Sequence, residues 1–192
     1  MAGILDHLTV ASIPPGYQPG GFDCEQVEMN DYLCDGTALR DEGNSVTRTY
    51  LVRVGEDLVG YFSVLADAIQ LSTKERPAGT NYSSAPALKL GRMGVDKPYK
   101  GQGVGVWILD YVVGLARSLA KEVGVRYVTL DALPEARLVN WYAKYGFVQN
   151  HGEERRRKII REFLHKVGFD VDLPHVSMRF DILLRAELPA AG

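Results

Sequence analysis

The chain has 192 residues, of which 46% are hydrophobic and 24% charged, with a formal net charge of −2. That is the make-up of an ordinary globular protein with enough chain for one domain and a real core, which excludes a disordered tail, a collagen-like fibre and a disulfide-scaffolded miniprotein. The slightly acidic balance also argues against the broad positive field of bulk nucleic-acid binding.

In chain order, residues 28–39 (EMNDYLCDGTAL) read as an early helix with Gly36 inside it. Residues 47–54 (TRTYLVRV) and 58–65 (LVGYFSVL) are rich in β-branched and aromatic side chains, and Gly55-Glu56-Asp57 between them is turn chemistry, so the pair predicts a β-hairpin. Residues 72–86 cluster Ser, Pro, Gly and Asn and read as a loop. Residues 87–95 (ALKLGRMGV) follow as a strand. From residue 104 to 123 the period changes: Val106, Leu109, Val112, Val113, Ala116 and Val123 recur at three- and four-residue steps, one face of a long helix. Gly124 closes it, and residues 125–130 (VRYVTL) form the next strand, completing a βαβ unit with parallel strands. A shorter helix spans 134–144, with Pro134 in its first turn. Residues 153–167 form a basic amphipathic helix whose stripe of Ile159, Ile160, Phe163, Leu164 and Val167 is expected to dock on the protein and leave the basic side chains in solvent. Residues 176–184 are the last strand.

Cys24 and Cys34 are too few for a disulfide framework and are not spaced as a zinc knuckle; they read as reduced small hydrophobes, and no metal is implied. Charged residues interrupt every apolar run before the roughly 20 residues a membrane span needs, and residues 1–10 lack the basic start of a secretory signal. No membrane role is expected, and the cytoplasm is the expected compartment. No internal repeat or linker divides the chain, so one domain over 1–192 is expected.

Between the 87–95 strand and the long helix lies Lys100-Gly101-Gln102-Gly103-Val104-Gly105. Alternating glycines let backbone approach a ligand, and the helix start behind them presents unpaired N–H groups and the positive end of a dipole, a reasonable pyrophosphate cradle with Lys97 and Lys100 at its rim. It is neither GxxxxGK[ST] nor GxGxxG, so neither a P-loop nor a dinucleotide fingerprint.

Leu90-Gly91-Arg92-Met93-Gly94-Val95-Asp96, followed by this loop, resembles motif A of the GCN5-related N-acetyltransferases, with Lys100 where Arg or Gln is usual. Tyr142-Ala143-Lys144-Tyr145-Gly146-Phe147 resembles the family's later Tyr-x-x-x-Gly-Phe motif. The resemblance implies a single α/β domain with a central mixed, mostly antiparallel sheet, a splayed parallel strand pair and flanking helices. It implies that Met93, Gly94 and Val95 face the acyl-pantetheine of acetyl-CoA, and that Lys100, Gly101, Gln102, Gly103, Val104, Gly105 and Val106 hold its pyrophosphate. Tyr142 matches the tyrosine that returns a proton to the CoA thiolate. Glu135 stands where the family often has a CoA-contacting Asn, and the 87–95 strand has no carboxylate to act as base. Asp131 and Asp96 are the candidates, with direct use of an already neutral amine the alternative, and Asp131 could equally cap the next helix. The activity implied is acyl-CoA-dependent N-acyltransfer by direct attack of a primary amine, with a small-molecule or protein amine as acceptor and a homodimer as the family's common assembly.

Phe22-Asp23-Cys24 followed by Met29-Asn30-Asp31-Tyr32-Leu33 is similar to the opening of an acetyltransferase branch that includes toxins acetylating aminoacyl-tRNA. That opens a second reading, with tRNA as acceptor and a small antitoxin as partner; there the opening motif would shape the acceptor side, and Arg155 and Arg157 of the basic helix would meet phosphate. A third reading is a non-catalytic acyl-CoA-binding module.

Overall fold

The computed structural model describes residues 3–169 and 175–184. The fold starts with a 3-10 turn (Ile4–His7) and a strand β1 (Leu8–Ser12) that periodicity did not announce. Where one helix was expected over 28–39 there are two, α1 (Val27–Cys34) and α2 (Thr37–Gly43). Gly36 separates them at φ +84°, a left-handed conformation that ends one helix and starts the next.

The predicted hairpin is present as β2 (Arg48–Val54) and β3 (Asp57–Gln70), antiparallel and turned at Gly55. β3 runs on past residue 65, and β4 (Ser84–Val95) starts before residue 87, so the loop between them is shorter than expected and contains a 3-10 turn at Thr73–Glu75. Then come α3 (Val104–Leu119), β5 (Tyr127–Ala132), α4 (Ala136–Tyr145), a two-residue strand β6 (Val148–Gln149), α5 (His151–Lys166) and β7 (Val176–Asp181). The sheet order is β1-β2-β3-β4-β5-β7-β6. Its one parallel pair is β4–β5, joined through α3: Arg126 N, just before β5, donates to Pro86 O near the start of β4, so the two strands begin side by side. This is the mixed, mostly antiparallel α/β sheet expected.

Two compact units are distinguished, Met1–Leu65 with Leu90–Gly114 and Ala66–Lys89 with Leu115–Gly192; β3, β4 and α3 each contribute to both. In the first, Phe22, Cys24, Tyr32, Leu51 and Tyr61 form a core in which Tyr61 is stacked on Tyr32 and edge-on to Phe22. In the second, Ile69, Leu71, Ala85, Ala87 and Tyr127 pack together, and Tyr142, Tyr145, Phe147 and Phe180 form a chain of ring contacts.

Two helices depart from expectation, α3 at single positions and α5 along its apolar stripe; on α3 the expected Leu109, Val112, Val113 and Ala116 are buried. On α3 the buried rows are Val104, Ile108, Val112 and Leu109, Val113, Ala116, while Val106 is exposed, and the helix stops at Leu119 rather than 123. Rows at i, i+4, i+8 define the stripe, and Val106 lies about 200° round from Val104. On α5 the expected docking of the apolar stripe is not found: Leu164 alone of it is half-buried, while basic side chains such as Arg155 and Lys158 stand in solvent as expected. Its apolar stripe faces solvent, with Ile159 60% and Phe163 62% exposed, and Glu153 at 4% is its buried residue. Polar anchoring outweighs apolar burial here: the Glu75 carboxylate accepts from His151 N and Gly152 N at 2.8 Å each, Glu154 accepts from Ser177 N, and Arg157 pairs with Asp131. Gly152 permits the close seat. A Cβ there would lie 2.4 Å from Ser72 N and 2.5 Å from Gln70 O.

Candidate active site

In the first unit the glycine loop leaves β4 through Asp96 and a 3-10 turn, Lys97–Tyr99, with Pro98 near its start. Gly101 (φ +78°) and Gly103 (φ +86°) are both left-handed, which only glycine adopts cheaply. The first intrahelical bond of α3 runs from Trp107 N to Gly103 O, so the N–H groups of Val104, Gly105 and Val106 have no acceptor within the helix and point out of its positive end. Gln102 Nε2 donates to Pro98 O and holds the loop closed. This is an anion-binding geometry made of main chain.

Lys97 and Lys100 do not stand free at its rim. Lys100 Nζ donates to Cys24 O at 2.6 Å and to the Glu25 carboxylate at 2.9 Å, its own N–H is bonded to Lys97 O, and Lys97 Nζ lies 3.1 Å from Glu25. The two ammonium groups hold the Glu25 carboxyl below the ordinary value. Their structural work is to clamp the 23–25 turn to the loop.

That clamp reveals what the Phe22-Asp23-Cys24 segment does. Asp23 accepts from Glu25 N and Asn30 Nδ2, and Asn30 Oδ1 accepts from Cys24 N, which makes a closed polar turn between residues 23 and 30. Asp23 N donates to Asp96 Oδ1 at 2.9 Å, and Lys97 N donates to Asp23 O. Gly94 completes the fit, because a Cβ there would lie 2.9 Å from Tyr61, 3.1 Å from Phe22 and 3.2 Å from Cys24. The opening motif therefore braces the glycine loop and the end of β4. Met93 and Val95 on either side of Gly94 are half-buried.

In the second unit Tyr142 is buried on α4, edge-on to Trp141 and to Phe147. Gly146, left-handed at φ +116°, ends the helix and returns Phe147 N to Tyr142 O, so the Tyr-x-x-x-Gly-Phe spacing is a helix-terminating turn that packs Phe147 under the tyrosine. Burial pushes the Tyr142 phenol up to about 12. It stays protonated through the physiological range, and the desolvation that raises it would raise a thiol in the same surroundings as well.

The carboxylates offered as bases are both engaged. Asp96 accepts from Asp23 N, as above. Asp131 lies between Lys89 Nζ (2.8 Å) and Arg157 Nη2 (2.7 Å); burial pushes its carboxyl up, but the two cations outweigh this and hold it below the ordinary value. It does not cap α4 either, whose N-cap is Glu135. Asp131 belongs to a polar cavity with Asp67, Thr129 and Glu153, where Glu153 pairs with Arg156 and Arg157 and accepts from Gln70 N. Three acids face three bases, so the cavity is an internal ion network. Sequence reading missed it because its members come from separate strands and α5. Among the described residues no group of three or more His, Cys, Asp or Glu is arranged to hold a metal ion, and no helix is long and apolar enough to cross a membrane.

A long helix behind a glycine loop, inside a mixed sheet with one parallel pair, defines an acyltransferase fold. Residues 46–149 match the acetyltransferase (GNAT) domain family, and the chain belongs to that family. It is 24% identical over 148 residues to a probable toxin TacT of Sinorhizobium fredii (strain NBRC 101917 / NGR234), covering 70% of this chain and 80% of the relative. Solved structures with the same fold include a tyrosine-to-phenylalanine mutant of KacT (TM-score 0.72, 23% identity, 92% of this chain and 95% of that one). A second is AtaT complexed with acetyl-methionyl-tRNAfMet (TM-score 0.70, 19% identity, 91% and 94%), and a third is mutant AtaT toxin bound to the C-terminus of the antitoxin AtaR and acetyl-CoA (TM-score 0.67, 19% identity, 92% and 94%).

Proposed function

We propose that the chain, working as one acyltransferase domain in the cytoplasm, transfers acetyl from acetyl-CoA to an α-amino group, with the amino group of an aminoacyl-tRNA as the favoured acceptor. The observation that carries the choice of acceptor is that both candidate bases, Asp96 and Asp131, are already engaged. An α-amino group with pKa about 8 is roughly one quarter neutral near pH 7.5, whereas a lysine amine near 10.4 is only about 0.1% neutral and needs a base. The likeness to TacT, and to AtaT in complex with an acetylated methionyl-tRNA, supports the same acceptor.

In this reading the main chain at Met93, Gly94 and Val95 receives the acyl-pantetheine, and the amides from Gly101 to Val106 receive the pyrophosphate. Lys100 contributes by fixing the loop. The neutral amine attacks the thioester carbonyl to form the C–N bond, the oxyanion is held by strand amides, Tyr142 protonates the departing thiolate as the C–S bond breaks, and the proton shed by the nitrogen passes through water to restore the Tyr142 phenol. By the same likeness the partner would be a small antitoxin, as AtaT has in AtaR, and the family resemblance adds a second copy of the chain.

The test follows labelled acetyl from acetyl-CoA into small-molecule, protein and RNA fractions of a cell extract with and without the purified chain. Label in RNA that is released by deacylating the tRNA is the expected result. Label in protein lysines or in small amines would replace the acceptor, and no incorporation anywhere would leave a donor-binding module.

A further inference from the structure

The orientation of α5 carries a consequence independent of the acceptor. Amphipathic helices bury the apolar face and solvate the polar one; α5 is anchored instead by the ion pairs and hydrogen bonds of its first turns, and beyond them most of its side chains, apolar ones included, stand in solvent. Arg155, Ile159, Phe163 and Val167 follow one another at four-residue steps, so the solvent-facing row is a cation followed by three exposed apolar side chains, with Ile160 beside them. The row ends in a groove of about 310 Å³ lined by Leu71, Ser72, Arg76, Arg155, Arg156 and Ile159. Arg155 and Arg76 have no acidic partner among the described residues, and Arg76 Nε is buried without a hydrogen-bond partner.

We infer that the outer face of α5 docks an acidic, apolar-anchored segment of a partner protein, whose apolar side chains cover Ile159, Phe163 and Val167 and whose carboxylates enter the arginine groove. Charge complementarity selects this occupant. Arg155, Lys158 and Lys166 flank the apolar row against a single acid, Glu162, so a second copy would bring like charges together. RNA would meet the cations but gain little from three aliphatic and aromatic side chains in the middle of the row. An acidic amphipathic helix or strand satisfies both features at once.

The test uses the full chain and a fluorescent 20-residue peptide with Leu at i, i+3, i+4 and i+7 and Glu at the flanking positions, compared with a twin carrying Lys for every Glu. Fluorescence anisotropy is expected to show the acidic peptide binding at least 10-fold tighter than its twin. The pair Ile159→Asp with Phe163→Asp is expected to weaken it at least 10-fold, and Arg155→Glu to weaken it several-fold and flatten its salt dependence. These positions are exposed, and an unchanged melting temperature in each variant confirms an intact fold. Equal binding of the two peptides, or binding indifferent to the Asp pair, overturns the inference. So would a dimer in sedimentation that Phe163→Asp dissociates, which makes the occupant a second copy, or tRNA binding that the Asp pair abolishes, which makes it nucleic acid.

Discussion

At the scale of single residues, the proposed proton donor and the rejected base make opposite predictions. Tyr142→Phe is expected to lower kcat by about 100-fold or more while leaving the KM for acetyl-CoA within about twofold, read from thiol release. Because the phenol sits near 12, activity should show no alkaline decline from Tyr142 below about pH 10. The same displacement has a stability sign. The folded pKa exceeds the usual 10, so nothing is lost below pH 10, and stability falls by about 3 kcal/mol as pH rises from 10 toward 12. Alkaline unfolding followed by circular dichroism should therefore be displaced to higher pH in Tyr142→Phe. Asp131→Asn is expected to behave as a structural lesion. It strands Lys89 and the mostly buried Arg157, costing about 2 kcal/mol in urea unfolding, while the pH profile of kcat/KM keeps its shape. A lost acid limb in that profile would restore Asp131 as the base.

At the scale of elements, α5 is held by its first turn. Glu75 accepts from Ser72 N, His151 N and Gly152 N and pairs with Arg179, and although burial pushes its carboxyl up, these contacts pull it down to about 2. Its contribution, about 3 kcal/mol, is present above the ordinary value of 4.5 and is lost as pH falls toward 2. Glu75→Gln should abolish most of that acid dependence between pH 5 and 2.5 in thermal melts, and should speed amide exchange at His151 and Gly152. Gly152→Ala places a Cβ against the backbone of residues 70–72 and is expected to cost at least about 2 kcal/mol by urea unfolding. The reach of sequence reasoning is visible in these same elements. The hairpin, β4, α3, β5, α4 and β7 were legible because period, β-branching and Gly or Pro punctuation are local signals. The split at Gly36 was weakly marked, β1 and β6 are short edge segments with little pattern, and α5 was placed correctly, but its apolar stripe does not dock as expected. Hydrophobic periodicity says that a helix has an apolar face; it does not say that the face is covered by its own chain.

At the scale of the whole molecule, donor binding should register as stability. Acetyl-CoA at about 100 times its Kd adds about 2.7 kcal/mol, which for a chain of this size raises Tm by roughly 5 to 10 °C. In Gly101→Ala with Gly103→Ala, where both positions are left-handed and a Cβ at residue 103 would lie 3.1 Å from Leu5, the ligand-induced shift should disappear. A shift that survives the double substitution would move the donor site away from this loop. The glycine loop, the Tyr-x-x-x-Gly-Phe turn and the family they point to were determined by the sequence itself, because each depends on residues adjacent in the chain adopting a particular backbone conformation. Only the tertiary structure decided that Phe22, Asp23 and Cys24 brace that loop, that Lys100 is bound to Glu25 rather than free, that Asp131 is locked between two cations, and that α5 shows solvent its apolar face. Those outcomes rest on side chains distant in sequence competing for the same partner, and which competitor wins is set by geometry that no local pattern records.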